Sequence, residues 1–133
     1  MKIICLLLIM TTCYCCAAQT KADYEIAIAR FTKFYNSKQA DSIQNMWSPK
    51  EDNMWDVKMT EGVNKKYGKI VSYKYLGIDS TDTEQHGLAV FKIQFSKAGK
   101  KALSLTMEKG KYLGTFRFIT SSPHIDKMLR EAK

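Results

Sequence analysis

The spacing of apolar residues changes once along this chain, from three-and-four to two, and the change falls at Gly68. Amphipathic helices and half-buried strands repeat their apolar positions with these two periods, so helices are expected before Gly68 and strands after it. Tyr24, Ala27, Ile28, Phe31, Phe34 and Tyr35 predict one long helix over 22–35, ended by Asn36-Ser37. A shorter helix is expected over 40–47, with Ile43, Met46 and Trp47 turned to the same core. Ser48-Pro49-Lys50-Glu51 combines an N-cap serine, a proline at the first helical position and a glutamate three residues past the cap, so a third helix is expected to start there. Its apolar side is Met54, Trp55, Met59, Val63 and Tyr67, and Gly68 takes the place of a left-handed C-cap. Gly62 costs ~1 kcal/mol against alanine in a helix interior, which leaves a break near Thr60 as the alternative.

Beyond Gly68, four alternating sets follow: Val71, Tyr73 and Tyr75; Ala89, Phe91, Ile93 and Phe95; Leu103, Leu105 and Met107; Tyr112, Gly114, Phe116 and Phe118. With short turns such as Lys109-Gly110, and a longer polar loop over 79–85, they read as an antiparallel meander with one aromatic face. Helices followed by antiparallel strands make an α+β domain: N-terminal helices packed on a curved four-stranded sheet, cone-like in outline. Ser122-Pro123 then opens a short C-terminal helix with Ile125, Met128, Leu129 and Ala132 on one face, expected to pack on the domain.

Lys2 and the apolar run Ile3 to Met10 read as a signal peptide, the run being shorter than the ~20 residues needed to span a bilayer. Cys16-Ala17-Ala18 suits cleavage before Gln19, so the expected division is a signal peptide over 1–18 and one domain over 19–133. Export to the periplasm or beyond follows. A lipoprotein anchored at Cys13 or Cys16 is the alternative, although the residues preceding either cysteine depart from a lipobox. All four cysteines lie in this leader, so the domain relies on its apolar core and lacks thiol chemistry. With 21 basic and 13 acidic residues the chain is clearly basic, which favours anionic neighbours such as head groups, acidic glycans or cell-wall polymers. The lysines form no polybasic tract; Lys97-Ala98-Gly99-Lys100-Lys101 reads as a charged turn on a solvated surface.

Three stretches carry a family likeness: Phe31-x-x-Phe34-Tyr35, Asp41-Ser42-Ile43-x-x-Met46-Trp47-Ser48-Pro49, and Tyr67-Gly68-Lys69-Ile70 entering a strand. Together with the closing Lys109-Gly110-Lys111-Tyr112-Leu113-Gly114-Thr115-Phe116, the chain resembles small exported bacterial domains of the nuclear-transport-factor-two-like, or cystatin-like, cone superfamily. The resemblance implies a cone with a mouth between helices and sheet. It implies no particular reaction, because the superfamily holds isomerases, cyclases and non-catalytic binders alike.

No catalytic constellation is legible. His86 and His124 are isolated, so no metal site is expected; no Gly-x-Ser-x-Gly elbow and no phosphate-binding loop occurs. Asp56 beside Trp55 is the one carboxylate considered for proton transfer, with Tyr35, Tyr67, Tyr73 and Tyr75 as hydroxyl donors, but no expected inward strand position carries an acid. The expectation is a non-enzyme without cofactors. Phe34, Trp47, Trp55, Tyr73, Tyr75, Phe91, Phe95, Phe116 and Phe118 are the candidate ligand-binding residues, lining a pocket unless they fill the core. A small apolar ligand or an envelope protein is the expected partner in the mouth, and a basic sheet surface or the C-terminal helix offers a second docking route. A homodimer through an exposed outer sheet face is also expected, and nucleic acid is not.

Overall fold

The computed structural model describes residues 19–52, 54–79, 88–108, 111–119 and 122–132. The expected signal peptide, most of the polar loop with His86, and the Lys109-Gly110 turn lie outside them. Element order is α1 (Lys21–Asn36), α2 (Ala40–Gln44), α3 (Val57–Tyr67), β1 (Ile70–Asp79), β2 (Leu88–Phe95), β3 (Gly99–Glu108), β4 (Tyr112–Ile119) and α4 (Pro123–Glu131). The strands form one antiparallel sheet in the order β1-β2-β3-β4. The α+β meander expected from the change of period is present.

Helix α1 starts at a reciprocal capping box: the Thr20 amide donates to Asp23 Oδ2 at 2.7 Å, and the Asp23 amide donates back to Thr20 Oγ1 at 3.4 Å. At its far end the Lys38 amide donates to the Tyr35 carbonyl (3.1 Å) and the Gln39 amide to the Phe34 carbonyl (2.9 Å), the pair of bonds of a Schellman motif. Lys38 holds the left-handed position with φ 55°, where a side chain costs about 1 kcal/mol that glycine avoids. Asn36 then ties α1 to the sheet, its amide donating to the Ile70 carbonyl (2.8 Å) and accepting from the Ile70 N–H (2.9 Å).

The third helix does not begin at Ser48. Residues 48–52 and 54–56 form turns and bends, and α3 starts after Asp56, whose carboxylate accepts from the Met59 N–H at 2.6 Å. The reason lies in Gln44. Its side-chain amide donates to the Glu51 carbonyl (2.7 Å) and accepts from the Trp55 N–H (2.6 Å), capturing the two groups that a helix would have bonded to each other. Gly62 lies inside the continuous α3, so the break near Thr60 is absent.

On the inner face of the sheet, Ala89, Phe91, Ile93, Phe95, Leu103 and Leu105 meet Tyr24, Ile28, Phe31 and Tyr35 of α1 in the main core. The inward sets expected on β2 and β3 are the observed ones. The edge strands differ, because register shifts fall between Ile70 and Ser72, between Tyr75 and Gly77, and on β4 opposite Thr106. Val71 is left 67 % exposed while Ile70 is buried. On β4 the shift puts Leu113, not Tyr112 or Gly114, on the inner face opposite Met107. Helix α4 packs on the other face, where Ile125, Met128 and Leu129 cover Val90, Ala102 and Leu76. Part of the outer face proposed for a homodimer is therefore occupied by the chain's own tail.

Tyr35 is fully buried and donates its hydroxyl to the Gly68 carbonyl at 2.7 Å. Burial, and next the neighbouring Tyr67, push its pKa up to about 12 from an ordinary 10. The fold favours the neutral phenol, so this contribution is complete below pH ~10 and is lost as pH rises from there through about 12. Tyr24 and Tyr75 are raised by burial in the same direction. Melting temperatures measured between pH 9 and 12 are expected to fall, and Tyr35→Phe to flatten that fall while lowering stability at pH 7 by about 1 kcal/mol.

Candidate functional site

A hollow of about 230 Å3 opens between α1, the segment after α2, and the start of β4. Asp23, Ile26, Ala27 and Arg30 form one wall, spaced three and four residues apart on a stripe beside the core-facing side of α1. Met46, Met107 and Leu113 form the floor. That floor is fixed by a parallel bridge between Trp47 and Leu113, in which the Leu113 N–H donates to the Met46 carbonyl at 2.8 Å. The bridge is the reason the chain leaves helical geometry after Gln44, short of the helix expected through Trp47.

Polar groups ring this apolar floor. Arg30 and Lys111 supply two cations and Asp23 one carboxylate. The Thr20 N–H and next its hydroxyl (2.9 Å to Asp23 Oδ2) hold the Asp23 carboxyl below its ordinary pKa. An acid so stabilised in its ionised form is a weak base, and among the described residues the lining contains no histidine, serine or cysteine. Ile26 is 60 % exposed, an apolar wall open to solvent. A second hollow of about 480 Å3 adjoins the first across Asn45, Lys111 and Tyr112, and is lined by Gln44, Trp47 and the 48–52 turn. The ammonium of Lys111 lies 5.0 Å from the Tyr112 ring centre, between the two.

The nine aromatic residues singled out from sequence gather mostly among themselves. Trp47 and Trp55 stack at 6.4 Å, Phe116 sits 6.1 Å from Trp55, Phe118 stacks on Tyr67 at 5.4 Å and packs against Phe95 at 5.8 Å, and Tyr75 meets Phe91 edge-on at 5.4 Å. Phe34 packs half-buried against the same cluster, and Tyr73 stands at the sheet edge, 39 % exposed. Trp47 lines the larger of the two hollows; the other eight line neither. Asp56 is an exposed N-cap, turned to the Met59 amide.

The residues that sequence reasoning passed over are Ile26 and Arg30. A signal for them existed: Ile26 is an isoleucine off the 24/27/28/31 stripe, flanked at helical spacing by Asp23 and Arg30. Among the described residues no group of three or more His, Cys, Asp or Glu is placed to hold a metal ion, and no helix is long and apolar enough to cross a membrane. No family model matches this chain, and no curated protein or solved structure does either.

Proposed function

We propose that this chain is an exported, non-catalytic binding domain, of the cone-like kind its motifs resemble, that takes a small amphipathic molecule in the helix–sheet mouth. One observation carries the reading: an apolar floor of Met46, Met107 and Leu113, walled by solvent-open Ile26, lies beside the cations Arg30 and Lys111, which outnumber the single carboxylate of Asp23. Such a site suits a short apolar tail with an anionic head, because burial of the tail supplies affinity and the paired charge sets orientation. The aromatic cluster then serves as the rigid support behind the mouth. Its rings already fill one another's contact distances.

Native mass spectrometry of protein purified from its own envelope, set against refolded protein, is the test. A retained mass is expected, and Ile26→Asp, which alters an exposed wall without touching the buried core, is expected to weaken its rebinding at least ~10-fold. No retained mass, together with unchanged behaviour of the variant, overturns the proposal.

A further inference from the structure

Drawn from three separate stretches of the chain, Lys38, Lys65, Lys69 and Lys97 line a single hollow of about 600 Å3. Lys38 comes from the turn after α1, Lys65 from the last turn of α3, Lys69 from the step into β1, and Lys97 from the β2–β3 turn. Among the described residues Glu61 is the one acid in the lining. None of the four ammonium groups forms an ion pair with a described residue. Four like charges around one concavity outnumber the single carboxylate of Glu61 and repel one another, and an anionic partner relieves that repulsion.

Local structure accounts for only part of this arrangement. Lys65 suits the carbonyl end of α3, and the Lys97 ammonium lies 3.4 Å from the Lys65 carbonyl, a long bond to the same end. Lys69 follows the Gly68 C-cap of the same helix and Lys38 follows the Ser37 C-cap of α1, so each also stands at a carbonyl end; what no single helix end explains is the meeting of all four at one hollow. Lys38 also occupies the left-handed Schellman position, φ 55°, that glycine or asparagine fills most easily. The backbone disfavours a lysine there, whereas the hollow gains a cation from it.

The geometry points to a binding site for an acidic glycan, a chain bearing carboxylate or sulfate groups among hydroxyls. Lysines meet the anionic groups as point charges. Hydroxyls find partners between them: the Ser96 oxygen accepts from the Lys69 N–H at 2.9 Å and keeps its own proton to donate, Asn64 spends its amino group on the Tyr35 carbonyl (3.3 Å) and keeps its oxygen, and Glu61 accepts. Single-stranded nucleic acid is the poorer fit, because its sites stack bases on aromatic rings, and among the described residues the lining holds no aromatic residue and no arginine. This site is separate from the mouth beside Ile26 and stands or falls independently of it.

The test uses the whole domain, a size-fractionated heparin hexasaccharide as probe, and calorimetry at two salt concentrations. Binding that weakens with salt is expected, with each Lys→Gln change costing about threefold and the four together roughly fiftyfold. A control carrying Lys21, Lys50, Lys58 and Lys127→Gln removes the same charge elsewhere and is expected to bind within about twofold of the parent. Lys38→Gly removes the charge and relieves the backbone together, so it should weaken binding while melting no lower than the parent. Equal losses in the control and in the hollow variant would mean that net charge alone attracts the probe, and would overturn the proposal. Tighter lysine-dependent binding to phosphatidylglycerol vesicles or to single-stranded DNA than to the glycan overturns it as well.

Discussion

Gly68→Ala is expected to lower the melting temperature by roughly 10 °C, the largest effect of an alanine at any of the described glycines. Gly68 has φ 79° and ψ −164°, a region that only glycine occupies readily. A Cβ there would run into the Ser96 hydroxyl and approach Lys97 Cγ at 2.9 Å and the Lys97 backbone nitrogen at 3.0 Å. Two bonds cross this point, from the Tyr35 hydroxyl to the Gly68 carbonyl and from the Lys69 N–H to Ser96, so displacement of either neighbour loosens the join between α1, α3 and the sheet. Gly62→Ala is the internal control with the opposite sign. Gly62 lies inside α3 with nothing within 4 Å of an added Cβ, and alanine should raise stability by about 0.5–1 kcal/mol. Calorimetric melting of both variants checks the pair; a Gly68→Ala protein as stable as the parent would contradict the close approach of residues 96–97.

Phe31→Ala is expected to cost ~3–5 kcal/mol, a large share of the 5–15 kcal/mol that holds an ordinary domain. Phe31 is fully buried, with ring centres at 4.4 Å from Phe116, 5.5 Å from Trp55 and 5.6 Å from Tyr35. Its loss leaves a cavity that these rings cannot close, because Trp47 and Phe116 already brace Trp55 from other sides. Urea unfolding followed by tryptophan fluorescence measures the effect. A cost under about 1 kcal/mol would mean that the aromatic cluster has room to collapse, and would return it to consideration as a ligand cavity.

Periodicity carried the reading of the fold wherever one face of an element is buried and its register is regular. Helix α1 and strands β2 and β3 have this character, and the inward residues named for β2 and β3 are those in the core. Edge strands lost legibility because a bulge reverses the parity of every residue beyond it. The shift opposite Thr106 exchanges Leu113 for Tyr112 and Gly114; the one local sign of it is Gly114 itself, an isolated glycine in the strand that sits in the bulge, where an added Cβ would lie 2.9 Å from Thr106 Oγ1. The serine-proline signal at residue 48 failed for a non-local reason, the Gln44 side chain taking the bonds that a helix needed.

The candidate site was legible only in outline. Sequence reasoning placed it at a mouth between helices and sheet and assigned it the aromatic residues. In the structure those rings mostly face one another, and the open walls at that junction belong to Ile26, Arg30 and the Lys111-Leu113 segment. The lysines were equally opaque: Lys38, Lys65 with Lys69, and Lys97 come from three separate stretches of the chain and converge only after α1, α3 and the β2–β3 turn come together. Spatial convergence of residues from separate turns has no period.

The most direct measurement on the central proposal is a methyl-resolved NMR titration of the domain with octanoate. Saturable shifts at Ile26, Met46, Met107 and Leu113, weakened several-fold by Arg30→Ala, are the predicted result. Shifts that skip these methyl groups, or that instead appear at Leu103 and Ile93 within the aromatic core, would contradict it.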